Sequence, residues 1–266
     1  MNPIDSLFAR LWSQGRKAFI PFLTAGDPDL AATARFARTL AGRGADLLEI
    51  GFPYSDPIAD GPVIQASYTR VLERGVRIED IFAAVRKFDL PETPLAAMVS
   101  YSLIHRRGPE VFLDRATAAG FSGAIVPDLP FEESEALSRL AAARDFKLIH
   151  LVTPMTPRER ARDIARRSTG FLYCVSVTGI TGERDGLPAE LLDQLAWLRR
   201  QTDLPLCVGF GISRPEHVRT LREVADGVIV GSAFVRHLEK AGQQSLDAID
   251  AALGDLAQSL ADALNV

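Results

Sequence analysis

The stretch LLEIGFPYSDPIADGP at 47–62 sets a glutamate, Glu49, among apolar residues and closes on Asp60 in a Pro- and Asp-rich loop. A carboxylate taken out of water is destabilising by several kcal/mol unless it is neutralised, paired or used. Period-two alternation puts Leu47, Glu49 and Gly51 on one face and Leu48 and Ile50 on the other. With Leu48 and Ile50 packed against helices, Glu49 points to the inside of whatever the strand helps enclose. No strand-like run offers an Arg or Lys at that level, so acid–base chemistry is the reading for Glu49. Asp56 and Asp60, taken alone, fit turn chemistry as well as they fit a site.

A second signal lies near the C-terminus. Glycines close two runs, VGFGIS at 208–213 and VGSA at 230–233. Backbone N–H groups exposed at such turns, with a short helix starting after Gly231, suit an anion such as a phosphate. The segment TGITGERDG at 178–186 reads either as a closing lid or as a plain surface loop. Other chemistries are poorly supplied. Lys17 and Lys147 sit at strand starts, and Lys87 and Lys240 in helical stretches, so a Schiff-base lysine is out of place. His105, His150, His217 and His237 are far apart and form no ligand pair. What remains is carboxylate chemistry on a small phosphorylated molecule.

These groups need a scaffold, and the chain supplies a regular one. Eight short β-rich runs span 18–26, 46–53, 94–101, 122–130, 147–154, 170–179, 205–213 and 227–235. Amphipathic segments such as 29–44 and 131–145 separate them. Strands alternating with helices pair in parallel, and eight units in this length favour a (β/α)₈ TIM barrel over an open sheet. No G-x-G-x-x-G opens the first unit, which argues against the dinucleotide-binding sheet. Residues 4–13 read as an extra N-terminal helix plugging the barrel's N-terminal end, and 1–266 as one domain. Active sites of this fold lie at the C-terminal strand ends, where Glu49 and both glycine loops fall.

The totals agree with a soluble enzyme. The 266 residues carry a net charge of −4, with no clustered basic face for nucleic acid or anionic membrane. Four lysines stand against 26 scattered arginines. Cys174 and Cys207, the two cysteines, each lie in an apolar run, as reduced thiols of a cytoplasmic protein do. The N-terminus lacks a signal-peptide core, and no stretch reaches the roughly 18 apolar residues of a membrane span.

The run at 48–62 resembles the signature of the tryptophan synthase α subunit family. PFLTAGDP at 21–28, VPDLP at 126–130, YCVSVTGITG at 173–182 and VGFGIS at 208–213 extend the likeness over nearly the whole chain. The resemblance implies retro-aldol cleavage of indole-3-glycerol phosphate to indole and glyceraldehyde 3-phosphate. It assigns Glu49 and Asp60 as the catalytic acids. Phe22, Leu151, Tyr173 and Phe210 would line the substrate pocket, with Thr181 a lid residue orienting near Asp60. Gly182, Gly211, Gly231 and Ser232 would bind the phosphate. It implies no cofactor or metal in this chain, an α₂β₂ assembly, and pyridoxal phosphate (PLP) in the β partner. One region departs. SYSL at 100–103 lacks the family's Asn and Pro, with its Tyr shifted by one, and Val63 stands where Thr is common. In the family that loop contacts the β subunit, so the departure bears on coupling rather than chemistry. A stand-alone indole-releasing paralogue and a non-catalytic α-like activator are the alternatives.

Overall fold

The computed structural model describes residues 1–58, 60–176, 189–209 and 211–265. Among these residues nine strands form one all-parallel sheet. They are β1 Ala18–Thr24, β2 Leu48–Gly51, β3 Leu95–Met98, β4 Phe121–Ile125, β5 Lys147–Ile149, β6 Leu151–Val152, β7 Leu172–Val175, β8 Leu206–Gly209 and β9 Gly227–Val230. The helices are α1 Pro3–Ser13, α2 Leu30–Gly42, α3 Pro62–Glu73, α4 Ile78–Val85, α5 Tyr101–Arg107, α6 Pro109–Ala119, α7 Glu135–Ala142, α8 Arg158–Arg167, α9 Ala189–Leu198, α10 Pro215–Leu221, α11 Ser232–Leu238 and α12 Leu246–Asn265. The strand order β5-β4-β3-β2-β1-β9-β8-β7-β6 brings the sheet round on itself.

Its two edge strands are neighbours in the chain, separated only by His150, so the sheet is a (β/α)₈ barrel whose fifth strand is cut in two. The sequence predicts one continuous strand over 147–154. At the break the His150 amide donates to the Ser168 hydroxyl (3.0 Å) instead of to a strand. Runs 94–101 and 227–235 end early because a helix begins within them. Tyr101 already opens α5, capped by Ser100, and Ser232 opens α11.

Side-chain alternation sorts the core into two layers. Leu48, Ile50, Leu23 and Val208 face outward onto the helices, where Phe52, Phe82, Phe112 and Phe121 form a ring cluster. Ile20, Phe22, Leu47, Met98, Ile125, Tyr173, Cys207 and Ile229 fill the lumen. Helix α1 closes the lower end as its sequence predicts. Asn2 caps it by accepting from the Ile4 amide (2.8 Å), and Ile4, Leu7, Phe8 and Leu11 join the lumen packing. Cys174 faces the helices and Cys207 the lumen, so the two thiols lie on opposite faces of adjacent strands. Lys147 pairs with Asp5 (2.6 Å) and Lys17 with Asp226 (3.8 Å) at the lower rim. No helix among the described residues is long and apolar enough to cross a membrane.

Candidate active site

Glu49 lies opposite Phe22 in the β1–β2 register and is 1% exposed. Its Oε2 has no hydrogen-bond partner among the described residues. Burial first, then the negative charge of Asp60, pushes its carboxyl up to about 8. The parity argument therefore holds in full, with Leu48 and Ile50 outside and Glu49 within.

Asp60 reaches the same space from the loop behind β2. It is 7% exposed, and burial raises its carboxyl to about 6 even though the Tyr54 hydroxyl, 3.5 Å away, donates to Oδ2 and works in the opposite direction. Its loop is held from behind. Gln65, one turn into α3, donates its side-chain amide to the carbonyls of Pro57 (3.0 Å) and Asp60 (2.7 Å). Helix α3 in turn is moored to the end of β1, because buried Asp27 accepts from the Ser67 hydroxyl (2.6 Å) and from Arg70 (2.5 Å). A proline at the first position of α3 starts the helix directly after Asp60-Gly61.

Around the two acids the lumen is apolar and aromatic. Phe22 and Tyr173 belong to its packed interior, and Leu151 sits at its edge, paired in register with Tyr173. Two glycines make room for these rings. A β-carbon at Gly51 would stand 2.6 Å from Phe22 Cε2 and 2.8 Å from the Tyr68 hydroxyl, and one at Gly209 would collide with Tyr173. Asp128, after β4, is close enough for its charge to act on Asp60. It accepts from the Ser100 hydroxyl (2.5 Å) and the Tyr101 amide (2.8 Å), latching the start of α5.

Of the residues singled out from sequence, Phe22, Glu49, Asp60, Leu151 and Tyr173 converge on this end of the lumen. Gly231 lies beside them, since a β-carbon added there would stand 3.6 Å from Ile64 and 3.8 Å from Phe22, and Ser232 follows at the first position of α11. Gly211 adopts a left-handed backbone (φ 74°) behind β8. Thr181, Gly182 and Phe210 lie outside the described residues. Sequence reasoning passed over Tyr54, Gln65, Tyr68 and Asp128. Ile64 and Tyr68, four apart on a helix that starts at Pro62, were the available signal for an element dipping into the lumen.

Two carboxyls meet in one apolar barrel mouth, burial raising Glu49 to about 8 and Asp60 to about 6. That arrangement sets two buried carboxyls at the C-terminal strand ends of a (β/α)₈ barrel, where enzymes of this fold place their active sites. The family model for the tryptophan synthase alpha chain matches residues 8–265. The tryptophan synthase alpha chain of Rhodopirellula baltica is 50% identical over 276 residues, covering 100% of this chain and 99% of that protein. The crystal structure of tryptophan synthase subunit alpha from Legionella pneumophila superposes with a TM-score of 0.89 at 35% identity, over 99% of this chain and 98% of that one. A tryptophan synthase structure from M. tuberculosis, in an aminoacrylate-bound form, gives 0.85 at 29% identity over 98% of this chain and 100% of that one. The chain belongs to the tryptophan synthase alpha chain family.

Proposed function

We propose that this chain cleaves indole-3-glycerol phosphate to indole and D-glyceraldehyde 3-phosphate by carboxylate acid–base catalysis, without a Schiff base or metal. The observation that carries the reading is the convergence of two buried carboxyls, Glu49 and Asp60, on one apolar barrel mouth, with burial raising Glu49 further than Asp60. Breaking the carbon–carbon bond at indole C3 requires a proton on that carbon and leaves positive charge on the ring nitrogen. Glu49, protonated, supplies the proton. Asp60, ionised, accepts the ring N–H and stabilises the charge as it develops. The carboxylate left on Glu49 then takes the proton of the glycerol hydroxyl as the aldehyde forms, which returns the acid to its starting state.

Phe22, Leu151 and Tyr173, with Phe210, form the apolar walls for the indole. Gly182, Gly211, Gly231 and Ser232 bind the phosphate, and Thr181 is a lid residue that orients near Asp60. Indole passes to a β subunit carrying PLP within an α₂β₂ assembly, in the cytoplasm, and no cofactor resides in this chain.

Indole release from indole-3-glycerol phosphate, with and without a β subunit, tests the reading. Cleavage that accelerates on adding β is the expected result, and no cleavage under either condition would sink it. One observation favours the paralogue as a second reading. The atypical segment at 100–103 is tied inward to Asp128, and rapid cleavage unchanged by β would select that alternative.

A further inference from the structure

Tyr68 projects from α3 into the catalytic end of the lumen and is fully buried. Its ring lies 5.6 Å from that of Tyr54, the donor to Asp60, tilted by 52°. Its hydroxyl ends beside Gly51, where a side chain would collide with it, two residues along the same strand face from Glu49. That hydroxyl has no hydrogen-bond partner among the described residues, and neither has Glu49 Oε2. A buried donor left unpaired is destabilising, and natural folds retain one chiefly where it has work to do. A donor and an acceptor are thus both unpaired on one side of the same apolar space. We propose that Tyr68 is a positioning residue for the reaction, its hydroxyl donating a hydrogen bond to the Glu49 carboxylate once Glu49 has given up its proton.

This inference rests on the role given to Glu49 above and deepens it. In the resting state Glu49 is protonated and gains little from another donor. When its proton moves to C3 of the indole, the new carboxylate is left in an apolar cavity. The groups that face it are Asp60, whose charge opposes it, Tyr173, Phe22 and Tyr68. The Tyr68 O–H keeps its own proton throughout, and burial and the neighbouring acids hold its ionisation well above the ordinary tyrosine range. Its hydrogen bond therefore strengthens as negative charge appears on Glu49, which is the differential stabilisation that lowers a barrier. Thr24, paired with Gly51 in the β1–β2 register, has a third buried and unpartnered oxygen among the described residues, and it is the competing acceptor for Tyr68.

Tyr68→Phe keeps the ring and removes only the hydroxyl. Two measurements judge it against the unaltered protein: kcat and KM for indole-3-glycerol phosphate across pH, and the titration of the Glu49 carboxyl by ¹³C NMR, assigned by its loss in Glu49→Gln. The expected result is a fall in kcat of about tenfold to a hundredfold with KM within about twofold, and a Glu49 titration moved to higher pH. An unchanged titration with unchanged kcat would overturn the proposal and give Tyr68 to Thr24. A rise in KM together with a lowered Tm and an unmoved titration would also overturn it, leaving Tyr68 as packing. Should the unaltered protein fail to cleave the substrate, the functional reading fails, and the NMR titration still decides whether Tyr68 acts on Glu49.

Discussion

The Gln65 side-chain amide spans the carbonyls of Pro57 and Asp60, tying the first turn of α3 back to the loop it grows from. With Asp27 fastening the same helix to β1, both the loop that carries Asp60 and the helix behind it are tied down. Gln65→Ala removes the tie while keeping the Asp60 carboxyl itself. Cleavage should fall by roughly tenfold or more through kcat, because placement of a reacting group governs rate steeply. Thermal stability should drop by only about 1 kcal/mol, the worth of the lost hydrogen bonds. Single-turnover kinetics and thermal melts read both, and a variant with unaltered kcat would show that the loop keeps its place unaided.

The pair of carboxyls predicts a bell-shaped dependence of kcat/KM on pH. Activity should rise through about 6 as Asp60 loses its proton and fall above about 8 as Glu49 loses its own. Asp60→Asn, whatever its residual rate, should lack the acid limb. A profile flat from 5 to 9, on the order of the span between ordinary carboxyl and thiol values, would remove these two groups from the rate equation.

Glu49→Gln should reduce cleavage by about a thousandfold or more, since the amide keeps the shape but cannot transfer the proton. Phosphate-ligand binding should survive. The same change has a second, opposite signature. A carboxyl whose pKa is higher in the folded than in the unfolded protein favours folding when protonated, so stability declines as pH rises from the ordinary value of 4.5 toward about 8. Glu49→Gln abolishes that decline, at most about 1.4 kcal/mol per pH unit. Denaturant melts should therefore find the variant increasingly more stable than the parent toward pH 8.

His150 gives the contrary sign. Burial, with Arg167 nearby, lowers its pKa from 6.5 to about 4, and Nε2 is buried without a partner among the described residues. The fold favours the neutral ring, so this contribution is complete above 6.5 and is lost as pH falls toward 4. His150→Phe keeps an aromatic ring against Phe131 and should remove acid sensitivity on the order of 3 kcal/mol from urea melts between those values. Identical melts at pH 4.5 and 7 for parent and variant alike, a span of roughly two units around the ordinary histidine value, would discount it.

Strand periodicity made much of this legible in advance. Leu48 and Ile50 could only go outward together, which fixed Glu49 inside, and apolar runs separated by amphipathic segments implied a closed parallel barrel. Three things escaped because they depend on contacts distant in sequence. The strand break at His150 is set by a hydroxyl 18 residues later. Asp27 and Arg70, 43 residues apart, meet only once α3 is docked. Tyr68 reads as an ordinary helical aromatic until Gly51 is seen to leave space for its hydroxyl.

The interruption at His150 has a wider meaning. It divides the barrel into two half-sheets that share β1, one running through β2 to β5 and the other through β9 to β6. Glu49, Asp60, Tyr54 and Asp128 all belong to the first half. Leu151, Tyr173, Gly209, Gly231 and Ser232 belong to the second, and Phe22 stands on the shared strand. The buried acids are thus segregated from Tyr173 and from the glycine turns behind β8 and β9, and neither half holds both sets. The two sets meet only at the juncture of the halves, where the shared strand acts as spine and the cut fifth strand as its open suture.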